Sequence, residues 1–105
     1  MAGIKKKVVE KNAEFILRLY ITGANPNSLR AVTNIKLFCE TNLQGRYSLE
    51  IIDVFQQPEL AKLEQIVALP MLVKEAPLPE RRLIGDLSDT YKILKSFGLQ
   101  ENEAG

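Results

Sequence analysis

The stretch from Phe15 to Asn42 constrains the fold more than any other: an alternating, largely apolar run, a turn holding a proline, then an amphipathic segment. In an extended chain Phe15, Leu17, Leu19 and Ile21 point one way, and Ile16, Arg18, Tyr20 and Thr22 the other. Apolar residues on both sides predict a strand covered on both faces. Gly23-Ala24-Asn25-Pro26-Asn27-Ser28 breaks the run, with Asn25 suited to accept from the free N–H groups of a helix's first turn and Pro26 to its first position. From there Leu29, Ala31, Val32, Ile35, Phe38 and Cys39 share one arc, with Arg30, Thr33, Asn34, Glu40 and Thr41 opposite. This predicts a helix lying on a sheet.

Gln44-Gly45-Arg46 turns the chain into Tyr47 to Val54, whose β-branched and aromatic content predicts a second strand. Strand, crossover helix and strand make a βαβ unit with parallel strands and a right-handed connection. Asp53 falls at the carboxyl end of that strand, where α/β folds place ligands and where a carboxylate also serves as a cap or turn former. Pro58 can open a short helix through Leu60, Leu63 and Val67. After Pro70 a strand from Met71 to Lys74 is expected, since proline belongs at a strand's first position or edge. A turn at Ala76-Pro77-Leu78-Pro79-Glu80 leads into Arg81-Arg82-Leu83-Ile84, its hairpin partner. Gly85-Asp86-Leu87-Ser88-Asp89 offers caps for a last helix in which Tyr91, Leu94 and Phe97 recur, ended by Gly98.

The order is βαβαββα, an α/β fold in the thioredoxin-like arrangement. Local preference is weaker after Val54, because Thr90, Tyr91, Ile93 and Phe97 suit a strand about as well as a helix. Residues 1–14 read as a flexible, partly basic arm, 15–98 as a single domain and 99–105 as a flexible polar tail.

With 105 residues, 46% hydrophobic, the chain is long enough for one layered core. A formal net charge of +1 gives none of the broad field that a sequence-blind nucleic-acid or acidic-membrane binder uses, so neither partner is expected. One cysteine cannot form an internal disulfide, and no apolar run approaches the roughly 18 residues of a membrane span. A cytoplasmic protein is expected.

The chemistry of a thioredoxin-like redox enzyme needs a thiolate at the N-terminus of the first helix, where N–H groups and the helix dipole lower its pKa. That turn holds no cysteine. Cys39 lies three turns further on among Val32 and Ile35, where a thiol behaves as a small hydrophobe. Ser28 is the nearest hydroxyl, but histidine is absent and no base is evident, so a capping role is expected. There is no Walker loop, G-x-G-x-x-G or paired metal-ligand spacing, and Asp86 and Asp89 read as caps beside Ser88. No catalytic residue, cofactor or metal is expected.

Five blocks in order carry a family likeness: Leu19-Tyr20-Ile21-Thr22-Gly23; Asn25-Pro26-Asn27-Ser28-Leu29-Arg30-Ala31; Ile52-Asp53-Val54 with Pro58-Glu59-Leu60-Ala61; Ala68-Leu69-Pro70; and Arg81 through Asp89. From Phe15 to Phe97 the chain resembles the KaiB family of circadian clock proteins. The resemblance implies a non-enzymatic adaptor that binds the ATPase ring of KaiC, takes up KaiA, and is related to the sensory domain of the histidine kinase SasA. It also implies a fold switch, between this thioredoxin-like form and a dimeric or tetrameric form ordered βαββααβ that differs in the second half. The Leu69-Pro70 bond can be cis or trans in the thioredoxin-like state, and the sequence does not decide between them. The binding positions it implies are Arg30, Asp53, Arg81, Arg82, Gly85 and Asp86.

Departures from the family pattern point to further positions. Glu50 and Gln65 stand where cyanobacterial clock members usually carry lysines, Leu69 replaces a threonine, and Leu37 falls on the polar arc of the first helix. If those lysines meet acidic groups on KaiC, Glu50 reverses the attraction; Arg18 on the neighbouring strand is its expected internal partner. Leu37 is a candidate anchor for a partner or a second subunit. A clock-independent stress or adaptation role within the same family is thus a further reading. The competing class is a thioredoxin-like redox or thiol-binding protein.

Overall fold

The computed structural model describes residues 13–99. The expectations for the basic arm and the polar tail lie almost entirely outside them. At the two boundaries, Glu14 pairs with Arg46 at 2.8 Å, and the Leu99 N–H donates to the Leu94 carbonyl at 2.8 Å.

The elements are β1 (Phe15–Ile21), α1 (Pro26–Asn42), β2 (Tyr47–Asp53), α2 (Pro58–Leu63), β3 (Met71–Ala76), β4 (Arg81–Ile84) and α3 (Thr90–Ser96), in the expected order. They form one sheet ordered β2-β1-β3-β4, in which β1 and β2 run parallel and the other pairs antiparallel. The central strand is β1, the run with apolar residues on both sides.

Both faces of that sheet are used. Phe15, Leu17, Leu19 and Ile21 of β1 pack with Ile35, Phe38 and Cys39 of α1 and with Ile93, Leu94 and Phe97 from the end of the chain. Tyr20, Ile52, Met71 and Val73 face the other way, under Leu60, Ile66 and Ala68. α1 and α3 therefore cover one face and α2 with its following loop the other, giving three layers. Phe97 stacks on Phe15 at 5.6 Å and meets Phe38 edge-on at 5.5 Å, which seats the last helix.

Several boundaries differ from the sequence reading for identifiable reasons. α2 stops at Leu63 and does not reach Val67, which is 87% exposed, because Gln65 turns left-handed at φ 57°. β3 runs two residues past Lys74, whose buried ammonium donates to the Pro77 and Pro79 carbonyls and ties down the turn that follows. On α1 the buried arc takes Ser28 and leaves Leu29 half exposed. On α3 Ile93 is buried and Tyr91 faces out. The Asn25 cap and Pro26 at the first turn are as expected, and the Leu69-Pro70 bond, whose isomer the sequence leaves open, is cis.

Candidate functional site

One end of the sheet gathers the turn before α1, the carboxyl end of β2, the start of β3 and the loop after β4. Asn25 Oδ1 accepts from the N–H groups of Asn27 at 2.9 Å and Ser28 at 3.3 Å, so the helix N-terminus caps itself. Ser28 is not the cap: its buried Oγ accepts from the Thr22 N–H at 3.1 Å and locks the strand-to-helix turn. A thiol enzyme would place its sulfur here.

The only sulfur of a cysteine is elsewhere. Cys39 is fully buried on the core face of α1, and burial, followed by the charge of Glu40, pushes its thiol up to about 12. Native protein at pH 8 should therefore resist alkylation by iodoacetamide for hours and react at once after unfolding in guanidinium, as followed by mass spectrometry. Rapid native alkylation would place Cys39 in a reactive setting.

Of the residues singled out in the sequence, Arg30, Gly85 and Asp86 come together. Arg30 Nε lies 3.4 Å from Asp86 Oδ2, and Arg30 also donates to Asn27 Oδ1. Hydrogen bonds from Ser88, then the Arg30 guanidinium, hold the Asp86 carboxyl below the usual range. Asn34, on the arc of α1 expected to face solvent, donates through Nδ2 to the Asp86 carbonyl at 2.8 Å. Gly85 adopts φ 115°, a conformation L side chains rarely take, and its N–H donates to the Pro70 carbonyl at 3.0 Å. Asp53 lies at the same end, but its Oδ1 accepts from the Phe55 N–H at 2.9 Å and shapes the turn.

The other positions lie apart. On the sheet face opposite α1, Arg18 bridges Glu50 at 3.2 Å and Glu75 at 3.3 Å, so the expected Arg18–Glu50 pair forms and gains a second carboxylate. Burial raises the Glu75 carboxyl pKa, which Arg18 opposes. The buried Tyr20 hydroxyl beside it has no hydrogen-bond partner among the described residues; burial raises its pKa, which Arg18 opposes. Glu75 is invisible from sequence because its relation to Arg18 depends on the antiparallel register of β1 and β3.

Arg82 and Gln65 meet through the backbone. Arg82 donates to the Glu64 carbonyl at 2.8 Å and the Gln65 carbonyl at 3.4 Å, and pairs with Glu80 at 3.1 Å. This guanidinium straps the end of α2 to β4. Arg81 differs: among the described residues it is the arginine without an ion pair, standing exposed on the edge strand. Leu37 projects from α1 with 65% of its surface exposed. Among the described residues no acidic, cysteine or histidine group forms a metal-binding cluster, and no helix is long and apolar enough to cross a membrane.

Comparison with known proteins bears on this arrangement. A family model described as the KaiB domain matches residues 18–99. The circadian clock oscillator protein KaiB of Synechococcus elongatus (strain PCC 7942) is 47% identical over 89 residues, covering 85% of this chain and 87% of that protein. KaiB of Prochlorococcus marinus subsp. pastoris is 46% identical over 89 residues, covering 85% and 83%. Among solved structures, the N-terminal domain of Synechococcus elongatus SasA superposes with a TM-score of 0.68 at 25% identity over 96% of this chain and 97% of that one. Chloroplastic thioredoxin z superposes at 0.66 with 19% identity over 84% and 80%, a likeness of fold alone.

Proposed function

The chain belongs to the KaiB family, and from that premise we propose that it is a non-enzymatic adaptor, which acts by docking its charged surface on a KaiC-type ATPase or a signalling histidine kinase. A KaiA-like protein and further copies of the chain are the other partners this reading includes. The observation that carries it is the position of the sulfur: the helix N-terminus where a thioredoxin-like enzyme works is self-capped and thiol-free, and Cys39 is buried. What this scaffold offers a partner is side chains on its surface.

The docking surface in this reading includes Arg30, Gly85 and Asp86 at one end of the sheet, Arg81 on the edge strand and Leu37 on α1. Glu50, held by Arg18, and Gln65, whose carbonyl is taken by Arg82, stand where the family resemblance leads one to expect lysines. Those differences support a partner other than the cyanobacterial ring, in a clock-independent adaptation response, as the second reading. Asp53 and Arg82 act in the same reading by holding the turn and α2 in place.

Gel filtration with a purified KaiC-type ATPase tests the docking. The wild-type chain should co-elute with the ring, and Arg81→Glu, which touches no internal ion pair, should weaken association at least about tenfold while leaving the circular dichroism spectrum unchanged. Equal binding by the variant removes Arg81 from the surface. Failure of the wild type to co-elute, together with insulin reduction that Cys39→Ala abolishes, would favour the thiol reading.

A further inference from the structure

Leu87 is an unusual residue in the loop between β4 and α3. It holds φ 62°, in the left-handed region that a branched apolar side chain rarely occupies, yet its side chain is 8% exposed and packed in the core with α1 and α3. On either side of it lies a cleft. One of about 200 Å³ is lined by Leu83, Ile84 and Lys92, the other of about 160 Å³ by Leu37, Phe38 and Thr90, and Leu87, Ser88 and Ile93 border both. The loop is gripped from α1 by Asn34 on the Asp86 carbonyl and by Arg30 on its carboxylate.

We propose that the Gly85–Asp89 loop is a strained latch: Leu87 is forced into its backbone conformation by the grip of Arg30 and Asn34 on Asp86, and its withdrawal frees α3 from α1 while the sheet stays folded. Burial of the leucine side chain opposes the backbone strain, so the strain narrows the gap between the closed and open states. Opening joins the two clefts and bares Phe38 and Ile93. Arg30 is also a docking residue in the function proposed above, so an acidic group drawn to Arg30 loosens the latch. That last link rests on the docking reading; the latch itself does not.

Native-state hydrogen exchange tests the latch on the free chain, so its failure leaves the docking reading standing. The amides of Ile93, Phe97 and Leu99, which donate within and just beyond α3, should exchange at least about tenfold faster than Leu19 after correction for intrinsic rates. Asn34→Ala and Arg30→Ala should each speed the α3 set further and leave Leu19 and Ile51 unchanged. Equal protection of both sets in the wild type, or an equal shift of both in the variants, overturns the latch. Strain has its own readout. Leu87→Gly should melt above Leu87→Ala, because glycine tolerates the positive φ and alanine does not; the opposite order means the loop stores no strain.

Discussion

Phe97→Ala is expected to lower the stability of the fold by about 4 kcal/mol, the middle of the range for removing a buried aromatic ring from a core. Phe97 is 5% exposed, lies against Phe15 of the central strand and meets Phe38 of α1 edge-on. It follows α3 at the helix C-terminus and joins that helix to both layers. Truncation leaves a void bounded by two rings that cannot close it, because Phe15 is fixed by the β1–β2 register and Phe38 by α1. Denaturation in guanidinium should show the midpoint fall with little change in slope. A loss under about 1 kcal/mol would mean that α3 is seated by something other than this aromatic cluster.

Arg82→Glu is expected to cost about 2 kcal/mol, the scale of hydrogen bonds made by a charged donor, and to lower the melting temperature by roughly 10 °C. The substitution removes the guanidinium from the Glu64 and Gln65 carbonyls and sets a carboxylate near Glu80 and Glu64. α2 has six residues and no side-chain cap at its start, so it is too short to persist without tertiary ties. Arg82→Lys should recover only part of the loss, since an ammonium cannot fork onto two carbonyls as the guanidinium does. Stability unchanged within about 0.5 kcal/mol would return Arg82 to the list of surface residues free to meet a partner.

Much of the fold was legible in the sequence, because the first half states it in three agreeing ways: strand alternation, a capped turn and helical periodicity. α1, its Asn25 cap and the parallel β1–β2 pair follow from those signals. The second half was read less sharply for a physical reason. α2, β4 and α3 are short; the end of α2 is tied to β4 by Arg82 and the turn before β4 is held by Lys74, contacts that local preference does not show, whereas α3 keeps its local Asp89 cap and Gly98 stop. Val67 illustrates this: its apolar character suited helix α2, yet the left-handed turn at Gln65 ended the helix and left it in water.

The candidate site was legible as a list of residues and not as an arrangement. Periodicity placed Cys39 in the core correctly, and strand alternation anticipated the Arg18–Glu50 pair. It gave no means of separating Arg81 from its neighbour, since adjacent residues of a strand point to opposite faces and only the packing of α2 decides which face is occupied. Asn34 was missed for a similar reason. Its partner is a backbone carbonyl 52 residues away, and sequence carries no mark of such a bond.

Calorimetric titration of a KaiC-type ATPase with Cys39→Ala and Arg81→Glu compares sulfur and surface in one measurement. The account predicts that the alanine variant binds like the wild type and that the charge reversal weakens binding at least about tenfold. Loss of binding in Cys39→Ala, with Arg81→Glu unaffected, would contradict it.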